Sequence, residues 1–355
     1  MKKILFALLA ATMLIGCQEK KDDNVIKIGA ILPLTGTIGS AGIDSKNGLE
    51  LAIAKANTML TTYNYQLEIV YEDHKSSAKD AVAAINKLIT TDQIDLVYCQ
   101  LTNTSLAIKP IVTAKKIPTF AVSGAIDLLE NSQYVYRNYI NPYYYAEETL
   151  KCISQLSSNA NMCVIYSNTD FGISMFDGLQ KASHSSNINI SNSYAYDDTS
   201  SDYKSLIYKV LNENPEVKTI YVAGVGRNLG MIIKQLKQLG FQGNIIGGIE
   251  LPYDEVIGAI GENHSNIYYI DFAFTPNDID NEISKTFTEE YILAYGETPN
   301  TSAALAYDAI MVITNVIQNK GNFTDIDMVT KGVTGSITVK EHEVYHELKL
   351  KKMGQ

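Results

Sequence analysis

Residues 25–57 read VIKIGAILPLTGTIGSAGIDSKNGLELAIAKAN, and the fold follows from how this stretch divides. Val25 to Leu32 is a short, mostly β-branched apolar run, the pattern of a buried strand. The turn-rich segment Pro33 to Gly42 follows it as a loop. Leu49, Ala52, Ile53 and Ala56 then recur at helical spacing behind the turn formers Ser45, Asn47 and Gly48. Strand, glycine-rich loop and helix make the first half of a βαβ unit. In open α/β sheets the loops at the carboxyl ends of the strands carry the ligand, so this loop begins a binding wall.

The same alternation continues outward along the chain. Strands are expected at 66–71, 94–99 and 117–122, with helices at 77–90 and 105–114 between and after them. Tyr134 to Tyr145 is a tyrosine-rich connector containing Asn141-Pro142, a turn signal and a candidate crossing between lobes. A second series of strands follows at 162–166, 188–194, 219–223, 244–249 and 267–273, each pair separated by a helix. Thr275-Pro276-Asn277-Asp278 interrupts it as a second crossing. Helices at 279–295 and 302–318 come next, and the alternating residues Ser336 to Leu350 read as a terminal hairpin.

Residues 1–16 read as an export signal: Lys2 and Lys3 precede the apolar Ile4 to Ile15, which is too short to span a bilayer. Leu14-Ile15-Gly16-Cys17 looks like a bacterial lipobox, which makes Cys17 the expected lipidation site and residues 17–24 a polar tether to the membrane. The chain of 355 residues, with 46% hydrophobic content, has length and apolar content for two domains. Its net charge of −10 argues against nucleic acid, whose phosphates need clustered Lys and Arg. Cys99, Cys152 and Cys163 remain, an odd number for an oxidising compartment. A bridge between Cys152 and Cys163 stays open, and their spacing fits no zinc framework.

The words LPLTG and NGLELAI, in that order, resemble the type I periplasmic substrate-binding proteins, specifically the branched-chain amino-acid receptor family of ABC transporters. Later landmarks in the same order are Tyr134-Val135-Tyr136-Arg137, Asp170-Phe171-Gly172, Tyr295-Gly296-Glu297-Thr298-Pro299, Ala304 to Ala309 and Gly332-Val333-Thr334-Gly335. The resemblance runs from Ile26 almost to the end. It implies two α/β lobes, each a mainly parallel sheet flanked by helices, joined by a three-segment hinge. On that pattern lobe one is 25–141 plus 275–325, and lobe two is 142–274 plus 326–355. It also implies an exported, lipid-anchored receptor that closes on an amino acid or similar small polar molecule and delivers it to an ABC permease. No covalent bond changes in that task, so no enzyme activity, cofactor or metal is expected. The competing reading is an envelope lipoprotein that uses the same fold to bind and regulate a protein partner, its cleft filled by Tyr143 to Tyr145.

A zwitterion needs hydroxyl and N–H donors for its carboxylate, an acid for its ammonium, and an apolar wall. Carried over from the resemblance, Thr102 matches the carboxylate-binding serine, with Asn103 beside it at a helix start. Ser123, Gly124 and Ala125 match the family's small-residue segment, Phe171 its aromatic over the ligand, and Val225 a pocket wall. Glu250 falls within one residue of the ammonium-binding acid. The departures are Ala125 for a threonine, Val225 for a tyrosine, Ala41 for a tryptophan, and no cysteine in 72–76 to pair with Cys99. Smaller walls imply a roomier pocket, and because the family includes receptors for amides, urea and aromatic acids, the ligand class stays open. Thr102 and Ser123 also have the simpler reading of helix N-caps.

Two motifs point to other chemistry. His342-Glu343-Val344-Tyr345-His346 matches HExxH, which holds zinc only on a helix. The flanking Ile337, Val339, Val344 and Leu348 favour a strand, where residues four apart are roughly 13 Å apart and cannot share one ion. Gly224-Val225-Gly226-Arg227-Asn228-Leu229-Gly230 resembles a dinucleotide loop, but an acid about 20 residues on is lacking except for Glu250. A tight strand-to-helix turn explains it as well.

Overall fold

The computed structural model describes residues 24–156, 161–276, 278 and 280–354. The expected export signal, lipobox and lipidation site Cys17 lie outside the described residues. β1 (Val25–Leu32) is the apolar run expected, buried from Ile28 onward. α1 (Gly39–Leu60) begins ten residues before its apolar spacing does. Gly39 and Gly42, which suggest a loop, are helical because the first turn passes close to Pro33, where a Cβ on Gly42 would collide with the Pro33 carbonyl. The buried stripe of α1, from Ser45 and Gly48 through Ala52 and Ala56 to Leu60, packs on α10 (Thr301–Gln318). Nearly every residue of α10 is buried, as its all-round apolar sequence requires.

The first sheet runs from β1 through β2 (Gln66–Asp73), β3 (Leu96–Gln100), β4 (Thr119–Val122) and β5 (Val135–Arg137), all parallel. Its order is β2-β1-β3-β4-β5, extended at the β5 edge by three late strands: β13 (Glu343–His346), β12 (Gly335–Lys340) and β11 (Met328–Gly332). The second sheet repeats the plan. It is made of β6 (Asn161–Ser167), β7 (Asn189–Tyr196), β8 (Thr219–Ala223), β9 (Asn244–Gly247) and β10 (Ile267–Phe272), in the order β7-β6-β8-β9-β10. β14 (Leu348–Lys352) closes its far edge antiparallel to β10. Each sheet reverses its strand order beside its first strand, which is where doubly wound sheets hold ligands.

The tail departs from expectation. Residues 326–355 do not all join the second lobe: β11 to β13 extend the first sheet, and only β14 joins the second. The chain thus passes between sheets near 138–141, near 273–281 and at Glu347. Asn141-Pro142 serves both as the first crossing and as the start of α4 (Pro142–Leu156), with the Asn141 side chain accepting from the Tyr143 and Tyr144 N–H groups. The tyrosines act as core volume in a chain with no tryptophan: Tyr98, Tyr136, Tyr145, Tyr221, Tyr291 and Tyr307 are all fully buried. Cys99, Cys152 and Cys163 are free thiols, so the bridge left open between Cys152 and Cys163 is not made.

Candidate functional site

The carboxyl ends of the two sheets face one another across a cleft with two neighbouring chambers. The inner chamber has a volume of about 30 Å³ and the outer about 360 Å³. Thr102, Leu101, Phe171 and Val225 line both. The walls follow from topology. From the first lobe, Ile38 lies beyond β1, Gln100 and Thr102 at the end of β3, Val122 at the end of β4 and Tyr139 beyond β5. From the second, Phe171 lies beyond β6, Val225 beyond β8 and Glu250 beyond β9.

Thr102 opens α3 (Thr102–Lys115), whose N-cap residue Leu101 makes no side-chain cap bond and holds φ 90°. A bulky residue there is strained, and strain of this sort is held in place by its surroundings at functional sites. Thr102 Oγ1 accepts from the Gly124 N–H at 3.1 Å, which leaves its own proton free to donate. Asn103 lines the outer chamber and donates through Nδ2 to the Ser76 carbonyl at 3.3 Å. Opposite, Phe171 is the second residue of α5 (Asp170–Ser183), which Thr169 caps by accepting from the Gly172 N–H. Two helix N-termini, with their partial positive charge, thus border the cleft.

Glu250 is 3% exposed and lines the inner chamber. The Tyr139 hydroxyl donates to its Oε1 at 2.5 Å. Burial pushes its carboxyl up to about 7, with the Tyr139 bond pulling in the opposite direction. Asp170 and Asp198 add negative charge to the outer chamber, and among the described lining residues of both chambers none is Lys, Arg or His.

Five of the eight residues singled out from the sequence meet here: Thr102, Asn103, Phe171, Val225 and Glu250. Ser123, Gly124 and Ala125 do not line either chamber. Ser123 and Ala125 are held within the first lobe, where Arg137 Nη1 donates to the Ala125 carbonyl and the Ser123 hydroxyl accepts from the Ala125 N–H. Gly124 still matters, because a Cβ there would sit 2.9 Å from the Phe171 ring. Neither Thr102 nor Ser123 caps a helix by its side chain. Tyr143 to Tyr145 do not fill the cleft: Tyr145 donates to the Ile270 carbonyl, Tyr144 packs on Tyr345, and Tyr143 lies under Lys181. Gln100, Tyr139 and Tyr253 were not visible as site residues; the usable signal was their place just past a strand or before a helix.

The other two motifs resolve structurally. Glu343 of HExxH lies on β13 and pairs with buried Arg137 at 2.9 Å, while the Asn141 side chain donates to it at 2.8 Å. His342 packs on Tyr136 and His346 on Phe272. Gly226, at φ 65°, begins α7 (Gly226–Gln238) and presses on Thr37 of the first lobe. That glycine therefore permits close approach between the lobes.

A two-lobed α/β protein with its cleft at the carboxyl ends of both sheets is the architecture of the type I solute-binding proteins. The chain belongs to the periplasmic binding protein family, which it matches over residues 25–340. It is 22% identical over 324 residues to Leu/Ile/Val-binding protein homolog 7 of Brucella suis biovar 1 (strain 1330), covering 86% of this chain and 79% of that one. In structure it is similar to the leucine-binding protein LivK of Thermotoga maritima (TM-score 0.83, 22% identity, covering 93% of this chain and 96% of that one). It is equally similar to LivJ of Streptococcus pneumoniae, solved in complex with isoleucine (TM-score 0.82, 21% identity, the same coverage).

Proposed function

We propose that this protein is the solute-binding component of an ABC importer, capturing an amino acid or similar small zwitterion between its lobes by hinge closure and presenting it to a permease. The observation that carries this reading is the polarity of the cleft. On one side the uncapped start of α3 and the Thr102 hydroxyl offer donors to a carboxylate. On the other, buried Glu250 offers a charge to an ammonium, with Phe171, Val225 and Val122 as the apolar wall between. Three acids and no base suit a ligand that brings its own cation. The relatives' names, which speak of leucine, isoleucine and valine, support the amino-acid class.

Cys17 would carry the lipid that keeps the receptor at a bacterial membrane, and the three passages between sheets would form the hinge. Binding and release would need no covalent step. A thermal-shift screen over the twenty L-amino acids, simple amides and small carboxylates tests the reading, because a ligand of the native state raises its melting temperature by mass action. A clear shift with amino acids is expected. No shift with any compound, together with an empty cleft in protein purified from its host, would refute it.

A further inference from the structure

Gln100 is out of place by the rules that built its strand. It ends β3, whose five residues are all buried, and pairs in register with Val122. It is 3% exposed, and its side-chain Oε1 has no hydrogen-bond partner. An unpaired buried acceptor is costly, which makes such a group in a folded chain call for an explanation. The backbone leaves it little freedom: the Gln100 carbonyl accepts from His74 Nε2 at 2.9 Å and from Thr104 Oγ1 at 2.7 Å. The residue is thus pinned from behind while its side chain lines the inner chamber with Glu250.

The chamber is too small for two separate ligand groups. At about 30 Å³ it admits a group the size of one or two water molecules. Glu250 on one wall and Gln100 on another present acceptors to whatever enters. A primary ammonium has that size and three N–H donors to share. We propose that Gln100 is a direct ligand contact and specificity determinant, sharing the ligand's primary ammonium with Glu250. This rests on the amino-acid reading above and narrows it to ligands with an unsubstituted –NH3+ group. A ligand lacking nitrogen leaves the Gln100 acceptor buried and unpaired, and sites built to hydrogen-bond a group reject analogues that lack it. An N-methylated amine keeps two N–H donors but must seat its methyl against one of the two acceptors in a chamber of about 30 Å³.

The test compares the wild type with Gln100→Met, which keeps length and removes the acceptor, and with Gln100→Glu. Dissociation constants are measured by calorimetry for the twenty L-amino acids and for the N-methyl form of the tightest binder. Gln100→Met should weaken every amino acid that binds by about tenfold, by a similar factor whatever the side chain, and should narrow the gap between the parent amino acid and its N-methyl form. Gln100→Glu should hold the amino acids at least as well as Gln100→Met. Unchanged affinity in Gln100→Met overturns the contact, and a loss that follows the side chain overturns its assignment to the ammonium. If no amino acid binds the wild type, the amino-acid reading has failed and this inference falls with it. A ligand-free arm judges the residue separately: Gln100→Met should melt at or above the wild type, because an unpaired acceptor has been removed. Melting several degrees lower assigns the carboxamide a structural partner and overturns the proposal.

Discussion

Glu255 reaches across the cleft and closes an open helix end, and removing it should loosen the lobes without touching the ligand. The residue lies on α8 (Asp254–Ile260) of the second lobe. Its Oε1 accepts from the Ser40 N–H at 2.9 Å and its Oε2 from the Ser40 hydroxyl at 2.7 Å. Ser40 is the second residue of α1, whose N-cap residue Ile38 makes no side-chain cap bond. The cap comes instead from 215 residues away, in the other lobe. A hydrogen bond to a charged group contributes about 1.5–3 kcal/mol, and an anion at a helix N-terminus about 0.3–1 kcal/mol. The clasp is only part-buried, so about 2 kcal/mol for the whole of it is the reasonable figure. Lost only when the lobes part, that energy is worth roughly a twenty- to thirtyfold change in the closing equilibrium, and ligand affinity should fall by up to the same factor. The assay is single-molecule energy transfer with one dye on each lobe, comparing the wild type with Glu255→Ala, Ser40→Ala and the double variant. Glu255→Ala should populate the open separation more and speed ligand release. The double variant should add nothing to Glu255→Ala, because both bonds end on one carboxylate. Identical distance distributions in the wild type and Glu255→Ala would refute the reasoning.

Glu250 predicts a pH dependence with a definite sign. Its carboxyl is raised from 4.5 to about 7, so its proton stabilises the unliganded fold fully below about pH 4.5, and that stability is lost as pH rises through about 7. The loss is at most about 3 kcal/mol, and the difference in melting temperature between wild type and Glu250→Gln across this range isolates it. Affinity for an ammonium ligand should run the other way, rising from pH 5.5 to 8 in the wild type and staying flat in Glu250→Gln by calorimetry. Gly226→Ala would place a Cβ 2.6 Å from Thr37 Cγ2 across the lobes, whereas Gly240→Ala, also at positive φ, meets nothing within 4 Å. Both pay about 1–2 kcal/mol of backbone strain, so a tenfold loss of affinity confined to Gly226→Ala, with a larger radius of gyration in scattering, is the expected contrast. Glu343→Gln breaks the buried pair with Arg137 and should cost about 3–5 kcal/mol by denaturant unfolding, while EDTA leaves the wild type unchanged. A melting temperature lowered by EDTA would restore a metal role for the HExxH sequence.

The sheets were legible because each central parallel strand is buried on both faces and so reads as one apolar word, as in VIKIGAIL. β5 was not, since Val135–Arg137 is three residues long inside a tyrosine-rich segment and gives no period to measure. The tail shows a different limit. Alternation from Ser336 onward announces strands, but the edge they join depends on partners two hundred residues away. β13 reaches β5 through the single register pair Glu343↔Arg137, the two residues of the buried ion pair. At the site, Thr102, Phe171 and Glu250 were reached through the family resemblance, and the structure places all three on the cleft walls at or beyond strand ends. Ser123 to Ala125 follow a strand end too, yet their turn is drawn inward by Arg137, a residue whose direction the sequence does not reveal.

What separates a structural buried charge from one awaiting a ligand is its partner. Among the described residues the buried acids and bases other than histidine are Arg137, Glu250, Asp271, Asp308 and Glu343. Arg137 and Glu343 neutralise each other. Asp271 has Lys351 at 2.7 Å and the Thr301 hydroxyl at 2.9 Å. Asp308 accepts from the Val333 N–H and from both the N–H and hydroxyl of Thr334, and so stitches α10 to the turn between β11 and β12. Glu250 alone of the five both lines a cavity and has a neutral phenol as its side-chain partner. Burial holds the Glu250 carboxyl up at about 7, so on the proposed function an entering ammonium would draw its proton off and bind the charge it has helped create. Chains that bury charge for stability surround it with their own partners, donors for an acid and acceptors for Arg137, as the other four positions do. On the proposed function, an ammonium ligand would supply Glu250 with the cation that the chain does not place beside it.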